Sequence, residues 1–481
     1  MFAMQRVRTN EGWAALLMAA AVALASSGCG GTPVVEDAGP PVDPLGLHDW
    51  ADAVVRSSGS RWVGERLLEH DPEPRPESAL RAVSSRAELH VHAPEGVPDS
   101  TVASALRGLE AMHDMLAVEG WPAPLPDGGR GGTLGLDLYL VDETAPSRAG
   151  FDERALHTYM DRASTFARLS AATSPSDLAA CAGVAYAEAL LLSADPAESE
   201  SWRRATAAYL SERLTGRWGC EDEALNSQRE AHEAYVAYAD EEPQAGGALL
   251  LAALAERHEE QPGDFVRSLW DLASQRTWEG EGYRGSPDLW EALETVLRVS
   301  HDPFATALET LALDRFLAGP RASTRAPAWA RRLGPDALPD ATLRMSTDAL
   351  RTHPPSTGEL DPPMELEPTG TYYALVDVRS APANSRLRVF LRGEFGVAWS
   401  LSVARLGASG EELGRMSAPP RRGTPRSYLP VELGAGTATV LVALTNLGRE
   451  PRDALHFPVP NVDAARSEAH AARLVFELVS D

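Results

Sequence analysis

The side chains able to do chemistry are few and widely spaced. The chain has three cysteines, Cys29, Cys181 and Cys220, and 12 histidines. His90 and His92 stand in Ala87-Glu88-Leu89-His90-Val91-His92, where strand alternation puts both imidazoles on one face and Leu89 and Val91 on the other. Such a pair could share a metal ion, but the expected reading is a solvated strand face. His113, His157, His232, His258 and His301 have no partner three or four residues away, so they form no zinc-binding pair on a helix. Residues 178–214 contain no histidine, and the first of their two helices carries Glu188 as a single carboxylate. There is no GxSxG nucleophile elbow, no GxxxxGK phosphate loop and no GxGxxG after a strand. The Gly-rich run at 128–132 leads into a strand, so it lacks the helix N-terminus that phosphate binding uses.

The cysteines speak to address. Arg6 and Arg8 precede an apolar run from Trp13 to Ala25, then Ser26-Ser27-Gly28 and Cys29. That order is an export signal. The run is too short for a membrane span, which needs ~20 residues. Ser-Ser-Gly-Cys resembles the lipobox of bacterial lipoproteins, with Ser26 where Leu is usual. The resemblance implies lipidation at Cys29, and Gly30 in place of Asp implies an outer-membrane destination. Cys181 and Cys220 are then a leftover pair in an oxidising compartment, expected to form a disulfide. Closing that loop is worth roughly 4 kcal/mol in the chain-entropy account. A two-cysteine metal site is the competing reading, with no CxxC or paired histidine nearby to complete it.

The elements that must hold these groups follow from periodicity. The 481 residues suffice for two or three domains, and 69 acidic against 44 basic side chains leave a formal charge of −25. That balance argues against nucleic-acid binding and against lying flat on anionic lipid. Residues 1–28 read as the signal and 29–46, rich in Gly, Pro and acid, as a disordered tether. A mixed region spans 47–319: helical pattern around Trp50 and Trp62, the strand at 87–92, a helix from 100 to 119, a strand at 134–141 and a short element near 156–160. Two apolar helices over 178–214 turn at Asp195-Pro196. Further helices are expected over 225–239, 245–258, 263–275, 287–298 and 303–317. A Pro-rich linker covers 320–370. From 371 to 481 the period becomes two and reads as an antiparallel sandwich.

The succession WPAPLPDGG, LGLDLYLVD, the paired helix, GALLLAALAE, SPDLWEALETVL, LALDRFLAGPR and a sandwich opening with TYYALVDV resembles myxobacterial metalloproteases of the gluzincin kind. It covers roughly residues 85–480. It implies an α+β fold: a mainly helical metalloprotease-like domain with a small N-terminal β element, followed by an antiparallel β-sandwich domain. In that family one helix carries HExxH and the next supplies a glutamate ligand; the two histidines share a helix face and the intervening Glu activates a zinc-bound water. Laid on this chain, those positions fall at Gly183, Val184, Ala187 and Arg204. None of these side chains ligates zinc, and Arg204 would set a fixed positive charge against the cation. The expectation is a non-catalytic lipoprotein with no cofactor and a degenerate site, anchored through its lipid and binding a peptide, glycan or envelope partner. A divergent hydrolase and a structural or adhesive envelope protein are the alternatives.

Overall fold

The computed structural model describes residues 67–68, 71–142, 148–154, 162–233, 235, 245–274, 283–284, 288–334, 339, 342–350, 356–382, 384–394, 397–418, 426–447 and 469–480. By contacts the chain divides into Met1–Gly46 and Leu47–Asp481, and every described residue lies in the second unit. The export segment, Cys29, the tether, the pattern around Trp50 and the element near 156–160 lie outside the described residues.

A short ladder pairs β1 (Leu67–Leu68) with β7 (Tyr283–Arg284). The first large sheet holds β2 (Ala79–Val83), β3 (Leu89–Ala93), β4 (Leu136–Val141), β5 (Arg148–Arg154) and β6 (Ala163–Ser170), in the order β2-β3-β4-β6-β5. The three middle strands run parallel, and β2 and β5 are antiparallel edges. Parallel neighbours need a crossover, and α1 (Asp99–Val118) supplies it between β3 and β4. Val102, Leu109, Met112 and Leu116 form its buried stripe.

This sheet corrects the expected fold class. The β element is a five-stranded mixed sheet, and the architecture is a mixed α/β one with multi-stranded sheets and interspersed helices. It is not a small β element ahead of a mainly helical domain. The strands near 87–92 and 134–141 are legible in the sequence, but β6 is not, because a strand covered on both faces loses its polar side. All five residues of β3 are buried, His90 and His92 included, so the solvated face expected for the histidines does not exist.

Helices α2 (Leu178–Ala194), α3 (Glu200–Thr215), α4 (Ala224–Arg229), α5 (Gly247–His258), α6 (Asp264–Ala273), α7 (Leu289–Val299), α8 (Phe304–Phe316) and α9 (Ala328–Arg332) follow. α2 is apolar all round and buried on every side, between β6, α1 and α3. α3 starts where Ser199 Oγ accepts from Trp202 N at 3.1 Å and stops at Gly216 in the left-handed region. The expected helix over 225–239 is shorter, ending at Arg229.

Two sheets form the C-terminal sandwich. One orders β13 (Glu412–Ser417), β12 (Trp399–Leu406), β15 (Thr439–Asn446), β10 (Thr371–Asp377) and β8 (Thr342–Ser346). The other orders β14 (Arg426–Glu432), β11 (Ser385–Gly393), β16 (Ala472–Ser480) and β9 (Thr357–Leu360). Alternate residues, such as Val376, Val389, Val403, Val442 and Phe476, fill the space between them. β8 and β9 come from the Pro-rich 320–370 stretch, and β8 pairs parallel to β10, so the sandwich is not wholly antiparallel. The first sheet's other face carries Tyr373, Ala404, Leu441 and Ala443, which pack on Leu313 and Phe316 of α8.

Candidate functional site

The helix pair α2–α3 is built around its cysteines. Cys181 in the first turn of α2 is bonded to Cys220 beyond α3, as the sequence leads one to expect. α2 crosses α1 at backbone contact: a Cβ on Gly108 would lie 2.1 Å from the Ala179 carbonyl oxygen. Gly183, one turn on, also faces α1, where a Cβ would meet the Gly108 carbonyl oxygen and Met112 at 3.5 Å. Ala187 follows four residues later and is wholly buried, as is most of Val184. The frame in which a paired-histidine motif would sit is thus packing surface.

The charged face of α2 belongs to Glu188, which is 7 % exposed. Its electrostatic neighbours are Arg203, Arg204 and Glu200 of α3, with Glu223 beside α4. Burial pushes its carboxyl up to about 8; Arg204 pulls the other way, and Glu200 and Glu223 add to the rise. No hydrogen bond from the described residues reaches it, and at neutral pH it is an uncharged acid. Arg204 is turned to its own helix, with Nε 3.1 Å and Nη2 3.0 Å from Glu200 Oε1. The resemblance implies zinc, and this donor set does not fit it: Glu188 is the single carboxylate of α2, no histidine stands on either helix, and Arg203 and Arg204 are among its electrostatic neighbours. Among the described residues no three His, Cys, Asp or Glu side chains are placed to share a metal ion.

Further along α3 a pocket of about 610 Å³ opens against α5 and α9. Tyr209 Oη donates to Glu259 at 2.9 Å, and Arg332 Nε meets Glu212 at 2.7 Å. Glu256 accepts from the amides of Ala328 and Trp329, capping α9. The pocket is lined by answered charges and small Ala252 and Ala255. No His is among its lining residues.

A second polar cluster lies on the other face of the first sheet. Arg75 enters from an irregular segment and is answered by three buried carboxylates. Its Nε donates to Asp152 at 2.8 Å, its Nη2 lies 2.8 Å from Asp127, and its Nη1 bonds Asp137. His92 Nε2 lies 2.9 Å from Asp137 Oδ1 and its ring stacks on Tyr139 at 4.6 Å; Thr133 Oγ1 donates to Asp137 at 2.8 Å. Burial opposes the charge on Arg75, but the Asp152 bonds outweigh it and hold the guanidinium above its ordinary value. Burial likewise opposes ionisation of Asp137, yet His92, Thr133 and Arg75 carry it below the usual range. Burial pushes Asp127 up despite the Gly129 amide and Arg75. The loop over the cluster needs Gly131: its φ is 75°, and a Cβ would strike Asp137, Tyr139 and Arg75 within 2.7 Å.

Gly183, Val184, Ala187 and Arg204 therefore lie on one helix pair without converging, and Arg204 is bonded to Glu200 of its own helix. The aspartate cluster was missed from sequence. Its one signal was that Asp137 and Tyr139 share a strand face in LGLDLYLV, as do His90 and His92 in the neighbouring strand. The guanidinium that joins them lies 62 residues upstream of Asp137 and has no local signature.

No family model matches the sequence, and no curated protein does. Among solved structures, the chain is similar to the Yersinia pseudotuberculosis-derived mitogen at 11% identity and a TM-score of 0.17, over 26% of this chain and 88% of that one. It is also similar to the insecticidal delta-endotoxin Cry8Ea1 of Bacillus thuringiensis at 13% identity and a TM-score of 0.11, over 26% of this chain and 18% of that one. Likeness at this level carries no argument about function.

Proposed function

We propose that this chain is an exported, lipid-anchored envelope protein whose zinc-peptidase-like helix pair binds a partner and does not hydrolyse it. The observation that carries the reading is that Gly183, Val184 and Ala187, where the motif would stand, are buried packing surface, while Arg204 is ion-paired to Glu200 of its own helix. Small aliphatic groups and an ion-paired guanidinium supply no ligand that could hold Zn²⁺ and activate a water. The Cys181–Cys220 bond supports the exported address, since such bonds persist in oxidising compartments. The run ending at Cys29 supports the anchor. Among the described residues no helix is long and apolar enough to cross a membrane.

The test has two arms. Purified protein is assayed for bound zinc by mass spectrometry and for cleavage of casein with and without a chelator; less than a tenth of an equivalent of zinc and no chelator-sensitive cleavage are expected. Stoichiometric zinc, or cleavage that a chelator abolishes, would overturn the non-catalytic reading. Labelled palmitate should enter the wild type and not Cys29→Ser, and equal labelling of both removes the anchor.

A further inference from the structure

Arg75 does not belong to the sheet whose carboxylates it fills. It stands in residues 71–78, which lie outside any strand or helix and carry proline at 72, 74 and 76, three positions with no amide to donate. Among the described residues one backbone hydrogen bond ties this strap to the sheet, from Glu73 N to Phe151 O of β5 at 2.8 Å. Its other polar ties run through two side chains. Glu73 pairs with Arg168 of β6 and accepts from Phe151 N at 3.4 Å, and Arg75 reaches the three aspartates. Asp71, Pro72, Pro74 and Glu77 are exposed.

The pocket under the strap is shaped for a guanidinium and not for cations in general. Asp152 takes Nε and Nη2 on its two oxygens, a fork that an ammonium cannot fill. Nη1 is shared between Asp137 and the Arg130 carbonyl oxygen, the latter at 2.9 Å. The rings of Phe166 and Tyr139 stand 5.2 Å and 5.9 Å from Cζ, within reach of its charge. Among the described residues these carboxylates and histidines are not placed to share a metal ion. The strap nevertheless fills the pocket incompletely. Asp127 Oδ2 lies 2.8 Å from Nη2 and takes no hydrogen bond. His90 Nδ1, on a side chain 9 % exposed, has no hydrogen-bond partner and lies 3.6 Å from Asp137 Oδ1. Buried polar atoms are ordinarily paired, so an occupant that leaves two of them open, on a segment with one backbone tie, is one that another donor can improve upon.

We infer that Asp127, Asp137, Asp152, Tyr139 and Phe166 form a receptor for an arginine side chain on an extended segment of a partner polypeptide, and that Arg75 occupies it in cis until displaced. Arg168 extends the site, since a segment with an acid two residues ahead of its arginine replaces the Glu73 contact as well. The receptor stands on residues apart from the helix pair, so either proposal can fail alone. The probe is the peptide acetyl-PEPRPE-amide, which carries residues 72–77 of the strap, with acetyl-PEPKPE-amide as its control. Both are titrated by calorimetry into the full chain and into Glu73→Gln, which frees the strap from Arg168 and leaves the pocket whole. The arginine peptide should bind the wild type, and bind Glu73→Gln at least tenfold more tightly. The lysine peptide should bind each protein at least tenfold more weakly. Saturating arginine peptide should also speed hydrogen exchange at the Glu73 amide of the wild type at least threefold, because the strap leaves the sheet. Glu73 is half-buried at the surface, and equal melting of the variant and the wild type separates a loosened strap from a lost fold. No binding to either protein at millimolar peptide, equal binding of the lysine peptide, equal affinity of the two proteins, or binding with unchanged Glu73 exchange would each overturn the assignment.

Discussion

Tyr373 Oη donates to the Ala312 carbonyl oxygen at 2.7 Å, joining the sandwich to α8 through a fully buried phenol. The same seam holds Ser400 Oγ donating to Glu309 at 2.7 Å and Arg415 Nη1 donating to Asp314 at 2.9 Å. Because α8 shares a core with the sandwich's outer face, the two should melt together. Tryptophan fluorescence, followed through variants that keep only Trp270 in the helices or only Trp399 in the sandwich, should give one midpoint for both. Tyr373→Ala should lower both by an amount typical of a large-to-small core change, ~3–5 kcal/mol. A drop at one probe alone would show that the seam does not couple the two parts.

Arg75 is the single described guanidinium serving Asp127, Asp137 and Asp152. Arg75→Met strands three buried carboxylates and should cost ~3–5 kcal/mol at pH 7 in urea unfolding. The deficit should shrink as pH falls, and most below 3.8. Asp137 is held low in the fold, so the wild type loses that stabilisation as pH falls through its folded pKa, while protonation relieves the stranded charges in the variant. A deficit that is constant with pH would mean that packing of the arginine stem, not charge, sets the loss.

Glu188 carries the opposite sign. Its folded pKa of about 8 stands above the unfolded value of 4.5, so the fold holds its proton more tightly than the unfolded chain does. Stability from this group is full below pH 4.5 and is lost progressively as pH rises toward 8. Glu188→Gln should therefore match the wild type at pH 4.5 and be more stable at pH 8, by on the order of a few kcal/mol. Equal thermal shifts at both pH values would contradict a buried, neutral acid.

Two glycines in contact with one another make a paired test of the helix crossing. Gly108→Ala puts a methyl into the Ala179 backbone and should destabilise by ~2 kcal/mol or more. Gly183→Ala has ordinary contact distance to spare and should gain up to ~1 kcal/mol from helix propensity. The reverse order would place Gly183 at the tighter approach.

The sequence showed those elements whose signal is local. The α1 stripe, the apolar α2, the Cys181–Cys220 pair and the alternation in β10 to β12 could all be read before any coordinates. What escaped was non-local. β3 shows alternation, yet its histidines are buried: His92 lies against Asp137 and Tyr139 of the neighbouring strand, which Arg75, some 15 residues upstream, also binds. The resemblance set the motif on a helix face holding Gly183 and Ala187, while the crossing with α1 takes Gly183 as packing surface and the charges acting on Glu188 come mainly from α3. Periodicity says that a helix has a buried side; it does not say which neighbour buries it.

The origin of β8 and β9 bears on where this chain can be cut. Each lies at the rim of its sheet and each precedes Thr371, where the regular alternation begins. A fragment started at Thr371 would lack both rim strands, leaving one side of β10 and one side of β16 with unpaired amides and carbonyls. Bare strand rims recruit other chains, so such a fragment is prone to self-association through β10 and β16.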